Sequence, residues 1–432
     1  MPDLIMAPGI FAATLVIVIW RPGNINEAIP ALIGALLALL TGVVTWYDVW
    51  FVGTMVWNAT FALIAIMIIS AILDQIGFFQ WAALSLAKKA GGHGHSLFFT
   101  IILLGSLITV FFNNDGTVLV LTPIVIGMAQ QLSLPLRQAL PLVVACGFIA
   151  DTASIPLVVS NLVNILTADY LQLGFGAYAA MMVVPGLAGI LASALVLYLF
   201  YRRDIPTQID TGQLPEPATA VKDWWLCRVA LAILGLVIAG YFIGSWFHLP
   251  VSLIAGTGSM LLLLISTFRK TINPRLILRQ APWPIVAFAM GMYLVVYGLG
   301  HLGLPVLLAE LLHQAIGESQ IKASLVSGSL FTATAALMNN LPSAMISSLA
   351  VAATSFETPL KETVALACIV GNGIGAKLTP VGSLATLMWL HILRQKGIDL
   401  SWTYYLKVGL VLTPFVLLAT LLSLGWWLQV VL

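Results

Sequence analysis

Charged residues are scarce in this sequence. Asp, Glu, Lys and Arg make up 8% of its 432 residues, whereas apolar residues make up 60% and the mean hydropathy is +1.05. So few polar groups cannot cover the surface of a soluble globular protein. The composition therefore excludes a soluble domain and predicts a protein that crosses the membrane many times.

Other absences narrow the class further. The three cysteines, Cys146, Cys227 and Cys368, are too few for a disulfide framework. The N-terminus lacks the basic region and cleavage site of a signal peptide, so it predicts a retained membrane helix. The sequence has no G-x-x-x-x-G-K-S/T motif, and its net charge of +2 gives no sign of nucleic-acid binding. We therefore expect a chain that needs no cofactor and does not itself hydrolyse ATP.

Apolar segments alternate with polar interruptions along the chain. Two long segments, 138–168 and 363–395, contain polar breaks, and two others, 96–130 and 320–354, have the polar centre of a hairpin. Amphipathic segments at 78–90 and 304–316 precede the hairpins and are predicted at the interface. Complete membrane helices are predicted near residues 4–20, 28–44, 51–73, 175–200, 224–247, 251–268, 284–300 and 404–431. The predicted fold class is an all-α polytopic membrane protein with about 10 transmembrane helices and 2 re-entrant hairpins.

The same order of elements occurs twice. A polar linker at 201–223 divides the chain, and FFNNDGTVL and ACGFIADTASIPLVVSNLVN of the first half match LMNNLPSAM and ACIVGNGIGAKLTPVGSLAT of the second. Each half crosses the membrane an odd number of times, so the second copy is inverted, as in many secondary transporters. We predict a first inverted repeat at 1–204, a cytoplasmic linker at 205–222 and a second inverted repeat at 223–432.

Basic residues indicate the orientation. With both termini outside, only Lys322 and Lys361 fall in outer loops, and Lys377 lies within a span. The residues then placed inside are Arg21, Lys88, Lys89, Arg137, Arg202, Arg203, Lys222, Arg228, Arg269, Lys270, Arg275, Arg279, Arg394, Lys396 and Lys407. This positive-inside bias predicts a first hairpin that enters from the cytoplasm and a second that enters from the opposite side.

The stretch VFFNNDGTVLVLTP (110–123) places two asparagines, an aspartate and a glycine between apolar arms. Irregular backbone at membrane depth must line a cavity or be surrounded by protein. We predict that residues 113–116 and 339–342 are hairpin tips near the membrane midplane, within one polar cavity. The alternative is a surface turn between two complete spans, for which arms of ~17 residues are barely long enough.

Two apolar segments contain polar residues and a proline: IADTASIP (149–156) and GNGIGAKLTP (371–380). Proline disfavours helix at the preceding residue and glycine loosens helices, so both segments are predicted to unwind within the membrane. A charge there costs ~2.5–3.5 kcal/mol on insertion scales, so Asp151 and Lys377 need partners or water. They either handle substrate and protons or form a structural Asp–Lys pair between the halves.

Two tips and two breaks create four helix N-termini, whose free N–H groups carry partial positive charge. Together with neutral side chains they suit a small hydroxylated solute or oxyanion, but no carboxylate cage for a divalent metal is present. Asp115 is either a substrate contact or the cap of the helix that begins near Thr117. The predicted proton-coupling residues are Asp151 and Lys377. The predicted substrate-binding residues are Asn113, Asn114, Asp115, Thr117, Ser160, Asn161, Asn164, Asn339, Asn340, Ser343, Thr379 and Ser383.

At these motifs the sequence resembles a known family. NNDGTVLVLTPIVI, GFIADTASIPLVVSNLVNILTADY, MNNLPSAM and TPVGSLATLMWLHILRQKG are similar to the bacterial arsenite/antimonite efflux permeases, the ArsB-type family, and the similarity covers essentially the whole chain. The resemblance implies the ion-transporter superfamily fold, with a transport domain that moves like an elevator against a scaffold. It also implies export of trivalent arsenic and antimony as hydroxylated species by proton antiport, in the bacterial cytoplasmic (inner) membrane.

The expected partners are arsenite or antimonite, protons, the lipid bilayer, a cytosolic ATPase subunit and a second copy of the chain, but no nucleic acid. The chain departs from the family pattern G-x-D-L-G-P-K at two positions, where Gly373 and Ala376 replace the acid and the proline. The predicted proton role therefore rests on Asp151. Cys146 and Cys368 occupy matching positions before the breaks, but tight thiolate binding would slow release, so we expect hydroxyl recognition rather than thiol ligation.

Other function classes explain less of the sequence. An intramembrane aspartyl protease could use Asp115 and Asp151, but twin tips would then be unexplained and its G-x-G-D motif is absent. A channel would differ from a carrier in showing linear rather than saturating flux. Within the transporter class, the alternative is a sodium/proton or carboxylate transporter of the same superfamily.

Overall fold

A computed structural model describes residues 2–20, 22, 25–270, 272–281 and 283–432, so Arg21 and its predicted position lie outside the described residues. The first half contains α1 (Pro2–Trp20), α2 (Ala28–Leu40), α3 (Trp46–Ile76), α4 (Phe78–Lys89), α5 (Gly94–Phe111), α6 (Asn114–Gln131), α7 (Leu136–Thr152), α8 (Leu162–Tyr170) and α9 (Phe175–Tyr201). The second half contains α10 (Trp224–Trp246), α11 (Val251–Phe268), α12 (Pro274–Gln280), α13 (Trp283–Gly300), α14 (Leu304–Ile316), α15 (Gln320–Met338), α16 (Asn340–Ala353), α17 (Leu360–Gly375), α18 (Leu384–Gln395) and α19 (Trp402–Val431). The all-helical fold and the predicted order of spans, hairpins and breaks are confirmed.

The third helix is longer than predicted, and its ends explain why. Thr45 and Asp48 form a capping box in which Thr45 N donates to Asp48 Oδ2 at 2.7 Å and Asp48 N donates to Thr45 Oγ1 at 3.3 Å. This cap starts α3 five residues before the apolar run from which its start was predicted. The helix ends at Gly77, whose φ of 93° is the left-handed conformation that favours glycine at a helix end.

Eight helices in the described part of the chain are long and apolar enough to cross a membrane, and two of them, α5 and α15, are first arms of the hairpins. Length therefore does not separate a hairpin arm from a complete span. Burial does: Asn113 and Asn339, at the two tips, are each 2% exposed. The alternative of a solvated surface turn is wrong, and both hairpins end inside the protein.

The two halves exchange helix partners. α2 of the first half packs against α13 of the second, and the corresponding helices of the opposite halves, α11 and α3, also pack together. In the same way α6 packs against α18, and the corresponding helices α16 and α8 pack together. α9 packs against its own counterpart, α19. Such an exchange is what a two-fold relation between repeats produces. We call α1–α3, α10, α11 and α13 the peripheral group, and α5–α9 and α15–α19 the central group.

The glycines of the second break do not unwind their helix, contrary to the prediction. α17 continues to Gly375, and the chain leaves the α-helix only between residues 376 and 383. A Cβ on Gly375 would lie 2.6 Å from Thr332 Cα, and a Cβ on Gly371 would meet the carbonyl oxygen of Gly328. Since residues four apart share a helix face, these glycines let α17 approach α15 closely.

The first break is placed as predicted. α7 ends at Thr152, the chain continues through a 3₁₀ turn at Val158–Ser160, and α8 begins at Leu162. Asp151 thus lies in the last turn of a half-helix. The polar linker between the halves packs against the first half rather than hanging free, since Lys222 N donates to Ile76 O at 2.9 Å and Lys88 pairs with Glu216 at 2.5 Å.

Candidate substrate site

All four predicted helix N-termini are present, and asparagine caps three of them. Asn113 Oδ1 accepts from Gly116 N at 2.6 Å, Asn161 Oδ1 from Val163 N at 3.0 Å, and Asn339 Oδ1 from Leu341 N at 3.3 Å. Asn339 adopts a φ of 79°, a conformation that asparagine tolerates better than most residues. The fourth cap position, Ser383, makes no capping bond with its side chain.

Asp115 does not cap α6, so that alternative of the sequence analysis is wrong. Asn113 occupies the cap position, and Asp115 lies within the first helical turn, where a carboxylate is favoured by the helix dipole. Its side chain is 8% exposed and forms no hydrogen bond with any described residue. Asp115 also lies close enough to Asp151 for their charges to interact.

Asp151 joins the two repeats. Asn114 Nδ2, from the first tip, donates to Asp151 Oδ1 at 3.0 Å, and Ser383 Oγ, from the second break, donates to the same oxygen at 3.4 Å. The side chain is 1% exposed. A buried carboxylate therefore lies where the first tip and both breaks meet, and hydrogen bonds to a charged group are among the stronger ones in proteins.

Lys377 reaches across to the first repeat but does not bond to Asp151. Its ammonium donates to Thr152 Oγ1 and lies 4.3 Å from the ring centroid of Phe148. Phe148 and Thr152 are one turn apart on one face of α7, whereas Asp151 is directed towards α6 and α18. The structural Asp–Lys pair is therefore not formed among the described residues, although the two charges are near enough to interact through space.

The second tip is bonded to the second break. Asn340 N donates to Gly382 O at 2.7 Å, and Asn339 Nδ2 donates to Val381 O at 2.9 Å. Thr379 Oγ1 donates to Ala336 O at 2.7 Å, just before the tip. Because Ser383 follows Gly382 directly, the second tip connects through these bonds to Asp151.

Ser154 organises the first break. Its Oγ donates to Asp151 O at 2.7 Å and accepts from Asn161 Nδ2 at 3.2 Å. Asn164 Nδ2 donates to Ser154 O at 2.6 Å and to Leu157 O at 3.0 Å. The unwound backbone is thus held by side chains, as irregular structure inside a membrane requires.

Two hydroxyl pairs brace the hairpin tips, and Ser160 connects the first tip to the first break. Thr109 Oγ1 donates to Thr117 Oγ1 at 2.9 Å, and Thr334 Oγ1 lies 2.5 Å from Ser343 Oγ. Ser160 Oγ donates to Val110 O at 2.6 Å. All twelve predicted substrate-binding residues therefore lie in or beside one buried network around Asp151.

Several amide atoms in this network lack partners. Asn114 Oδ1, Asn164 Oδ1 and Asn340 Oδ1 are buried acceptors, and Asn113 Nδ2 is a buried donor, that meet no hydrogen-bonding group in the described structure. Buried polar atoms nearly always have a partner. Four such atoms occur at the two hairpin tips and on the helix after the first break, all on residues predicted to bind substrate, so polar groups remain there with which a polar ligand or water could pair.

Three polar residues of the interrupted segments belong to the network but were not predicted. Thr152 receives the Lys377 hydrogen bond, Ser154 holds the first break, and Asn372 Nδ2 donates to Ser347 Oγ at 2.9 Å while its Oδ1 has no partner in the described structure. Each is a polar residue within one of the two interrupted segments. Their presence in apolar runs was the available signal, but only the fold shows which partner each one meets.

The cysteines are buried and free. No three His, Cys, Asp or Glu side chains in the described ranges are close enough to hold one metal ion, so the three thiols do not converge. Hydroxyl recognition without Cys146 and Cys368 stays a prediction.

Comparison with known proteins places the chain in a family. The arsenical pump membrane protein family, ArsB, matches residues 6–428. The chain is 42% identical over 429 residues to an arsenical pump membrane protein of Escherichia coli, covering 99% of this chain and 100% of that one. It is 33% identical over 435 residues to a putative arsenical pump membrane protein of Bacillus subtilis strain 168, covering 97% and 98%.

A solved structure agrees at the level of the fold. The YdaH transporter of Alcanivorax borkumensis, whose topology is described as unusual, is similar with a TM-score of 0.54 and 17% identity over 88% of each chain. That likeness concerns the fold alone. The family match over residues 6–428 and the relatives at 42% and 33% identity show that the chain belongs to the ArsB family of arsenical pump membrane proteins.

Proposed function

We propose that this protein exports arsenite and antimonite from the cytoplasm in exchange for protons, with the central group moving like an elevator against the peripheral group. Membership of the arsenical pump family supports the substrate class. The buried asparagine cluster supports recognition of the substrate through its hydroxyl groups.

The observation that carries the proposal is the set of unpartnered amide atoms. A neutral trihydroxide of arsenic or antimony offers three O–H donors and oxygen acceptors. The cluster offers three free acceptors, on Asn114, Asn164 and Asn340, and one free donor, on Asn113. Leaving a buried polar atom unpaired costs about 1–3 kcal/mol, so a ligand that pairs several of them gains affinity without any thiolate bond.

Asp151 supplies the coupling in this proposal. When ionised, its carboxylate holds Asn114 and Ser383, and the nearby Lys377 ammonium offsets its charge. A proton on Asp151 removes that negative charge and weakens both hydrogen bonds. Because Asn114 also offers the free acceptor, protonation of Asp151 and binding of substrate change the same side chain, and this link favours exchange of one for the other.

The orientation and partners form part of the same proposal. We place both termini outside the bacterial inner membrane, with repeats at 1–204 and 223–432 joined by a cytoplasmic linker at 205–222, because the basic residues then lie inside. A cytosolic ATPase subunit and a second copy of the chain are proposed partners, since this sequence has no nucleotide-binding motif of its own.

Everted membrane vesicles test the proposal directly, because export from the cell becomes uptake into the vesicle. An imposed acid interior, without ATP, should drive accumulation of arsenite above its external concentration, and a protonophore should abolish it. Vesicles without the protein provide the control. Accumulation driven by a sodium gradient but not by a proton gradient would support the alternative coupling ion and overturn proton antiport.

A further inference from the structure

A second polar region lies between Asp151 and the ends of α9 and α19 that carry Tyr201 and Tyr404. Here a small cavity of about 20 Å³ is lined by Phe148, Thr386, Trp389, Tyr404 and Tyr405, among others. Phe148 forms one wall, and the Lys377 ammonium lies against the ring of that residue. The cavity therefore adjoins the buried ionic centre.

The cavity has the polar groups that a water molecule needs. Trp389 Nε1 is a buried donor with no partner in the described structure, and Tyr405 OH lies 3.2 Å from Thr386 Oγ1. Gly147 provides room for the indole, since a Cβ there would lie 2.9 Å from Trp389 Nε1. About 10–15 Å³ and two or more polar partners suffice to hold one water, so this cavity meets both requirements.

Hydroxyl groups continue from the cavity in both directions. Towards the centre, Thr386 lies one helical turn after Ser383, whose Oγ contacts Asp151 Oδ1 at 3.4 Å. Away from the centre, Tyr404 OH and Tyr201 OH are 2.7 Å apart. Tyr201 ends α9 and is followed by Asp204, which pairs with Arg137 at the protein surface.

We propose that these groups form the cytoplasmic half of the proton path. The proposal rests on the proton antiport proposed above and names the route by which Asp151 releases its proton. The order is Asp151, Ser383, Thr386, Tyr405, one water held by Trp389, Tyr404 and Tyr201. Ser383 and Thr386 instead bond to Asp151 and Tyr405, so the step between these two hydroxyls requires one of the side chains to turn towards the other. Each hydroxyl accepts a proton on one lone pair while it gives up its own, so no tyrosine ionises. The net step leaves a carboxylate on Asp151 and a proton in the cytoplasmic water.

Tyr405→Phe tests the path because it removes one hydroxyl and keeps the ring, which lies 6.2 Å from the Trp389 ring. Proton-driven arsenite uptake by everted vesicles should fall roughly fivefold to tenfold, the factor that corresponds to one hydrogen bond. The ratio of rates in H₂O and D₂O should rise, because proton release becomes rate-limiting. Arsenite binding to the purified protein should stay at the wild-type level.

Tyr293→Phe and Tyr241→Phe are the matched controls, since both tyrosines are buried and carry a hydroxyl with no partner in the described structure, but they lie on α13 and α10. Thr386→Val should lower proton-driven uptake in the same way as Tyr405→Phe, and Thr386→Ser, which keeps the hydroxyl, should have the wild-type rate. These variants keep the test valid if the Tyr405 variant misfolds. Wild-type rates and isotope ratios in both Tyr405→Phe and Thr386→Val would overturn the path. Absence of proton dependence in the wild type would instead refute the antiport itself.

Discussion

Asp151 Oδ1 receives hydrogen bonds from both repeats, from Asn114 Nδ2 at 3.0 Å and from Ser383 Oγ at 3.4 Å. The neighbouring Lys377 instead bonds to Thr152 on another face of α7. Asp151 and Lys377 thus have separate hydrogen-bond partners. The Asp151 carboxylate can therefore gain or lose a proton without first breaking an ion pair. A structural Asp–Lys bridge would resist such a change, since its separation leaves two unpaired buried charges.

Asp151→Asn is therefore expected to abolish proton-driven arsenite accumulation while the protein still folds. The amide has the same shape and still accepts a hydrogen bond, but it cannot carry the proton. Accumulation in everted vesicles measures the effect, with the amount of inserted protein checked by immunoblot. Asp48→Asn is the control, because Asp48 is also a buried carboxylate, 6% exposed, but it belongs to the cap of α3. Uphill export at the normal rate in Asp151→Asn would refute the assignment.

Replacing Cys146, Cys227 and Cys368 together with Ala or Ser should leave arsenite transport largely intact. All three thiols are buried and the described structure holds no cluster of three such ligands, whereas the unpartnered amide atoms lie at the tips and at Asn164. Initial rates of arsenite uptake, normalised to inserted protein, check this. A variant that inserts normally but neither binds nor moves arsenite would restore thiol ligation as the mode of recognition.

Residue types in the site could be predicted from sequence, but their partners could not. Asparagines and hydroxyls within apolar segments indicated which residues meet around Asp151, because such residues are costly in a membrane unless they have a role; their binding of substrate stays a prediction. Asp115 was considered as the cap because the helix was expected to begin near Thr117, whereas α6 begins at Asn114 and is capped by Asn113. The partner of Lys377 depended on how α17 and α7 are rotated against each other, which no local pattern encodes.

At the scale of elements, the packing of α17 on α15 depends on glycine. Gly375→Ala should lower the melting temperature, because its Cβ would lie 2.6 Å from the backbone of Thr332 and overpacking typically costs about 1–3 kcal/mol. Thermal unfolding of the purified protein in detergent measures this. Gly256→Ala is the matched control: a Cβ there meets no atom within 4 Å, so better helix propensity should leave stability equal or higher. Equal melting temperatures for the two variants would contradict the close contact.

These glycines also show which elements the sequence could specify. Hydropathy placed the spans, both hairpins and both breaks, because the membrane requires long apolar segments and tolerates few exceptions. The sequence pattern predicts that Gly371 and Gly375 loosen their helix. Their role in close packing becomes visible only in the fold, where α15 lies beside α17. The early start of α3 came from a capping box that a hydropathy pattern does not register.

At the scale of the whole molecule, the question is how the central group meets the peripheral group. α3 contacts α8 and α13 contacts α16 across this boundary. Asn58 is the main polar link between α3 and α8: its Nδ2 donates to both carboxylate oxygens of Asp169 at 2.8 and 2.7 Å, while its Oδ1 accepts from Ser252 N of α11 at 2.9 Å. An elevator motion must break the bonds to Asp169 and leave the bond to Ser252 in place, because α3 and α11 belong to the same group.

A cross-link across this boundary should therefore stop transport. In the protein without native cysteines, Asn58→Cys with Asp169→Cys joined by a short, reducible bifunctional thiol reagent should lose proton-driven arsenite uptake, and reduction should restore it. Arg137→Cys with Asp204→Cys is the matched control within the central group, where Arg137 on α7 pairs with Asp204 after α9 at 2.5 Å and both side chains can be reached from solvent. That link should leave uptake intact, since α7 and α9 move together. Full activity with α3 and α8 joined would mean that substrate crosses without relative motion of the two groups, and the site would then have to open to each side by local movements of the tips alone.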